Sequence, residues 1–106
     1  MSFRVRFAPA AAEDLVRLFD YLLERAETIE DLDRAEGVIG ALRQAIYAQL
    51  AVTPFSFRKA GDGSRSTRRE LIVPSGSTGY VALYEITGPR DVLVLAVRHQ
   101  LEQDYH

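Results

Sequence analysis

Val92-Leu93-Val94-Leu95-Ala96-Val97 is an unbroken apolar run. A strand with one face in water alternates with period 2, so a run without alternation predicts a central strand covered on both faces. Such a strand needs partners, and the sequence supplies them nearby. Arg69 to Val73 and Tyr80 to Thr87 are β-rich, separated by Pro74-Ser75-Gly76-Ser77-Thr78-Gly79, and Gly88-Pro89-Arg90-Asp91 precedes the apolar run. Spacers this short between β-rich runs imply sequential antiparallel pairing, a meander. Phe3-Arg4-Val5-Arg6-Phe7 alternates apolar and charged residues and reads as one further, half-buried strand.

The intervening chain follows helical spacing. From Ala10 to about Ala26, the positions Leu15, Leu18, Phe19, Leu22, Leu23 and Ala26 recur every three or four residues. Pro9 suits the first turn, and Glu13 and Asp14 suit the positive end of the helix dipole. A polar segment, Glu27 to Asp33, connects to a second helical pattern through Ala35, Val38, Ile39, Leu42, Ala45, Ile46 and Leu50, ending at Val52 before Thr53-Pro54. Gly37 and Gly40 lie inside that pattern, and glycine at such spacing often permits close approach of another helix. Phe55 to Thr67 reads as a basic segment turning at Gly61-Asp62-Gly63-Ser64.

The predicted class is therefore α+β in the order β-α-α-β-β-β, two antiparallel helices packed on a small, mostly antiparallel sheet. The 106 residues fit one domain spanning 1–106. With no cysteine and only His99 and His106 as imidazoles, no disulfide or metal site is expected, nor any cofactor. The apolar runs fall far short of the ~20 residues of a membrane span, and no apolar signal region follows Arg4 and Arg6. A cytoplasmic protein without membrane contact is the expectation.

The formal charge of −2 conceals an uneven distribution. Glu13 to Glu36 carries nine acidic residues against three arginines, whereas Arg58 to Arg69 holds Arg58, Lys59, Arg65, Arg68 and Arg69 against Asp62 alone. An acidic helical half thus faces a basic loop-and-sheet half. Twelve of the 13 cations are arginine, the side chain suited to planar contacts with phosphate or carboxylate. Gly76-Ser77-Thr78-Gly79 joins two strands and opens no helix, so it is not a phosphate loop, and no nucleophile elbow or nucleotide fingerprint is present. What remains is the basic segment and the polar tail Arg98-His99-Gln100-Leu101-Glu102-Gln103-Asp104-Tyr105-His106 at the exit of the apolar strand. His99 is a candidate base, but a lone histidine there more often hydrogen-bonds the strand end. Tyr80 and Tyr84 share a face and are expected to pack beneath the helices.

Four segments in register carry a resemblance. Arg68-Arg69-Glu70-Leu71-Ile72-Val73, Gly79-Tyr80-Val81-Ala82-Leu83-Tyr84, Val92 to Val97 with Arg98-His99-Gln100 and Glu102-Gln103-Asp104-Tyr105, and Val5-Arg6-Phe7-Ala8-Pro9-Ala10 with Asp14-Leu15 and Asp20-Tyr21 resemble the RelE/ParE superfamily of type II toxin-antitoxin toxins. The resemblance implies a toxin held in a hetero-oligomer with a cognate antitoxin. Its target would be DNA gyrase in the ParE-like branch, or the ribosome and its mRNA in the RelE-like branch, where the toxin is an endonuclease. For cleavage, the resemblance would place Arg68, Arg98, His99 and Tyr105 at the scissile phosphate. For target binding of either kind it points to Arg58, Lys59, Arg65, Arg68, Arg69 and Arg98. The antitoxin would cover apolar residues of the helical pair, Leu15, Phe19, Leu22, Ile39 and Leu42, and add a segment to an exposed sheet edge. Three departures favour the ParE-like branch: the near-neutral charge, the lack of arginine in Pro74 to Thr78, and the reduced basic cluster after the last strand.

Overall fold

The computed structural model describes residues 2–60 and 67–102. The chain forms β1 (Arg4–Phe7), α1 (Pro9–Glu24), α2 (Ile29–Val52), β2 (Arg58–Lys59), β3 (Arg68–Ser75), β4 (Thr78–Gly88) and β5 (Asp91–His99). The sheet runs β1-β5-β4-β3-β2, with β1 parallel to β5 and the other pairs antiparallel. The predicted α+β order holds with one addition, the two-residue β2. Its exposed Arg58 and Lys59 gave no apolar signal, and it exists because Arg58 pairs with Glu70 and Lys59 with Arg69.

The helices begin and end where local hydrogen bonding dictates. Ala8 offers no side-chain cap, but Pro9 presets the first turn of α1. Glu13 and Asp14 lie beyond that turn, and Asp14 is buried for another purpose. The second helix starts six residues before the expected Ala35. Thr28 accepts the Asp31 N–H (3.1 Å) and the Asp31 carboxylate accepts the Glu27 N–H (3.0 Å), a reciprocal cap that makes the polar segment helical. These bonds, the Glu27 N–H first among them, hold the Asp31 carboxyl below its usual pKa. Gly37 and Gly40 do not serve the contact between the two helices. A Cβ at either position would meet nothing.

The β3–β4 connection is tighter than the sequence implied, because both strands continue to Ser75 and Thr78. Gly76 takes φ +60° at the first central position of that two-residue turn, a conformation glycine adopts without steric penalty. Gly79 is fixed for a different reason: a Cβ there would sit 2.6 Å from the Val73 carbonyl oxygen.

β5 is central in the sheet, between β1 and β4, but the helices cover only one of its faces. Val92, Val94 and Val97 join the core beneath the helices, whereas Leu93 and Leu95 are half-buried. The register shifts between Tyr84↔Val94 and Leu83↔Ala96, leaving Leu95 as the extra residue of a bulge. Two alternating segments out of phase are thus joined by one residue, which produces the unbroken apolar run. Tyr80 and Tyr84 pack under the helices as expected. The fully buried Tyr84 hydroxyl donates to the Pro54 carbonyl at 2.5 Å, and burial pushes its pKa up to about 12 against a smaller downward pull from Arg69.

β1 stops at Phe7, opposite Val94, and the Ala8 N–H caps the Val94 carbonyl at 2.8 Å. Side chains continue the ladder from there. Asp14, 4% exposed, accepts the Val97 N–H at 2.8 Å, Arg17 donates to the Val97 carbonyl at 3.4 Å, and Glu102 accepts the His99 N–H at 2.8 Å. Arg17 also pairs with Glu102 at 3.1 Å, tying α1 to the tail. Asp14→Ala leaves a buried N–H without an acceptor and is expected to lower unfolding free energy by about 1–3 kcal/mol in urea titration, with Asp14→Asn milder.

Candidate functional site

One face of the sheet is left open by the helices. Strand alternation places Arg68, Glu70 and Ile72 of β3 on it, with Val81, Leu83 and Glu85 of β4 and Ala96 and Arg98 of β5. Arg58 joins from β2, opposite Glu70. The centre is apolar, with Val81, Leu83 and Ala96 all buried. The charges form a border around it.

The border is largely neutralised from within. Glu70, its side chain 14% exposed, receives Arg58 Nε at 3.0 Å and lies 4.0 Å from Arg98 Nη2. Arg98, with a side chain only 15% exposed, also donates to the carbonyls of Glu102 (2.6 Å), His99 (3.3 Å) and Gln100 (3.4 Å). Its guanidinium therefore folds the tail back over the strand exit. Arg68 stands opposite Glu85, which also accepts the Thr67 hydroxyl. Carboxylates placed beside these guanidinium groups offset part of the charge that an incoming anion would meet.

The remaining predicted cations lie elsewhere. Arg69 points to the helical side and donates to the carbonyls of Phe55 (3.2 Å) and Phe57 (2.8 Å), pinning the segment after α2. Lys59 is exposed and opposite Arg69. Arg65 and Tyr105, like the Gly61-Asp62-Gly63-Ser64 turn, fall outside the described residues.

His99 also lies on the helical side of the sheet, away from Arg98. Its ring meets Tyr80 edge-on at 5.3 Å, Nδ1 accepts the Leu101 N–H at 3.1 Å, and Nε2 lies 3.2 Å from Thr78 Oγ1. The Leu101 bond needs a lone pair on Nδ1, so the proton of the neutral ring sits on Nε2, toward Thr78. This is the strand-end role expected of a lone histidine. Arg98 and His99 project to opposite faces, so they do not converge on one phosphate. No group of three or more metal-ligating residues occurs among the described residues. Among the described residues no helix is long and apolar enough to cross a membrane.

The five apolar residues assigned to the antitoxin divide between separate places. Leu15, Phe19 and Ile39 line a groove of about 340 Å³ between the helices on their outer side, with Leu15 as its buried floor. Leu42, 2% exposed, lines a second groove of about 470 Å³ between α2 and the edge of β3. Leu22 lies half-buried near the end of α1. Sequence reasoning missed Glu70, Asp14, Arg17 and Glu102 as organising residues. Only Glu70 had a visible signal, as the carboxylate that closes the cationic stretch Arg68-Arg69.

Comparison with known proteins agrees with this architecture. A family model described as "ParE toxin of type II toxin-antitoxin system, parDE" matches residues 5–104. Toxin RelE1 of Caulobacter vibrioides is 33% identical over 103 residues, covering 97% of this chain and 99% of that protein. A solved structure titled "Chromosomal ParDE TA system from P. aeruginosa" superposes with a TM-score of 0.69 at 12% identity, over 92% of this chain and 95% of the other, and shows the same fold. The chain belongs to the ParE family and is the toxin of a type II toxin-antitoxin system.

Proposed function

We propose that this toxin acts by protein contact on DNA gyrase and that a cognate antitoxin neutralises it. The observation that carries the choice of target is the separation of Arg98 and His99 onto opposite faces of the sheet, with Arg58 and Arg98 gathered on Glu70. Cleavage of RNA needs a positioned acid or base and cations aimed at the same phosphate. Here the imidazole is held by Thr78 and Leu101, and the guanidinium groups are held by a carboxylate and tail carbonyls. An apolar centre ringed by paired charges suits a protein surface better than a phosphate chain.

The antitoxin has a ready edge. β2 covers β3 only at Arg69 and Glu70, and the Ala60 N–H bonded to the Arg68 carbonyl (2.9 Å) sets the phase. By alternation, Ile72 directs its N–H and C=O outward past the end of β2, and the residue is 38% exposed. The groove beside it is floored by Gly37, Ala41 and Ala45 of α2 and bounded by Val73 and Pro74. Small residues leave room for the alternate side chains of an added strand.

Purified toxin is expected to inhibit gyrase supercoiling saturably while producing no A-site cleavage in a translating extract. Untouched supercoiling together with cleavage lost in Arg98→Ala would reverse the assignment toward an mRNA endonuclease. On addition of the antitoxin, the Ile72 amide should gain hydrogen-exchange protection; unchanged exchange along β3 and α2 would place the antitoxin elsewhere.

A further inference from the structure

A hollow of about 340 Å³ lies at the exit of β5, between the second half of α1 and the tail. It shares no lining residue with the outer groove between the helices or with the groove beside β3. Leu18, Leu101 and the Tyr21 ring give it apolar walls, while Arg17, Tyr80, His99 and Glu102 bring polar groups. Arg25 stacks over the Tyr21 ring, 3.6 Å from its centre, and steadies it at the rim. The volume falls at the lower end of the roughly 300–1,000 Å³ of small-molecule sites, whose usual lining is apolar with a few convergent polar groups.

Three of these polar residues are already engaged. His99 Nδ1 accepts the Leu101 N–H, and its Nε2 faces Thr78. Arg17 pairs with Glu102 at 3.1 Å, and Glu102 also accepts the His99 N–H. One cation set against one carboxylate leaves the lining without a net charge to offer a ligand.

Tyr80 differs. The residue is 6% exposed, yet its hydroxyl has no hydrogen-bond partner among the described residues. Nor is that oxygen sealed from solvent, so it opens into the hollow that Tyr80 lines. Tyr84, on the same face of β4, shows the contrast, since its hydroxyl donates to the Pro54 carbonyl. A buried hydroxyl without an acceptor carries a desolvation cost that a ligand atom within reach would remove. Burial also holds the Tyr80 pKa above its ordinary value, so the hydroxyl keeps its proton and can donate.

We infer that this hollow binds a small uncharged aromatic molecule, one ring in size, whose carbonyl or hydroxyl oxygen accepts a hydrogen bond from Tyr80. The leucine walls and the rings of Tyr21 and Tyr80 suit a flat apolar body. An ionised ligand is disfavoured, because the Arg17–Glu102 pair offers it no unbalanced charge in place of the water it would lose.

The test titrates the full-length protein with benzamide, toluene and benzoate, which share a ring and differ in acceptor and charge. The expected result is saturable binding of benzamide, with amide shifts centred on Leu18, Tyr21, Tyr80 and Leu101. Toluene lacks the acceptor and should bind about fivefold more weakly, and benzoate should also bind more weakly than benzamide. Tyr80→Phe should weaken benzamide about fivefold, leave toluene unchanged and melt no lower than wild type, because the hydroxyl it removes has no partner in the free chain. No saturable binding of benzamide, equal binding of benzamide and toluene, tighter binding of benzoate, shifts centred elsewhere, or a Tyr80→Phe variant that melts lower or binds benzamide as before would each overturn the proposal.

Discussion

Val97 presents its peptide N–H and C=O on the side of β5 that β1 no longer covers, and the arrangement of the tail and first helix follows from how those groups are satisfied. A central strand that outruns its neighbour leaves buried polar groups that must be paired. Asp14 and Arg17, one turn apart on α1, take the place of a strand, and Glu102 extends the replacement to His99. This ties α1 to the end of β5 and brings the tail against it. The side chains at the end of β5 divide between the helices and the open sheet.

That division bears on function. The bulge at Leu95 changes the phase of β5, so Val97 and His99 turn toward the helices and Arg98 toward the open face. Had the strand continued without the extra residue, its last side chains would have exchanged faces. Arg98 then meets Glu70, which already holds Arg58, and the guanidinium is further occupied by three tail carbonyls. A basic sequence segment thus becomes a nearly balanced surface around an apolar centre. Charge counted along the chain and charge available to a ligand are different quantities, because pairing across strands is invisible in sequence.

Periodicity carried most of the architecture. Both helices, three of the four strands of the meander, the Gly88–Asp91 turn and the packing of Tyr80 and Tyr84 were legible from spacing and turn chemistry. The misreadings had physical causes. β2 has two residues and no apolar pattern, so only its pairing with Glu70 and Arg69 defines it. The start of α2 was hidden in a polar segment that becomes helical through the Thr28 and Asp31 cap. The unbroken run in β5 looked like coverage on both faces because a bulge and a half-exposed strand leave the same residue pattern. At the site, the arginines could be found in the sequence but not their partners. Glu70 lies 12 residues from Arg58 and 28 from Arg98, distances that only the fold closes.

The central claim is that the open face offers few free cations to a phosphate chain. The salt dependence of binding to a single-stranded RNA oligonucleotide measures this directly, since each neutralised phosphate contributes a slope of about −0.7 in log K against log salt. The account predicts weak binding with a slope no steeper than about −2, rising in magnitude when Glu70→Gln releases Arg58 and Arg98. A wild-type slope of about −4 or steeper, unchanged by Glu70→Gln, would contradict it.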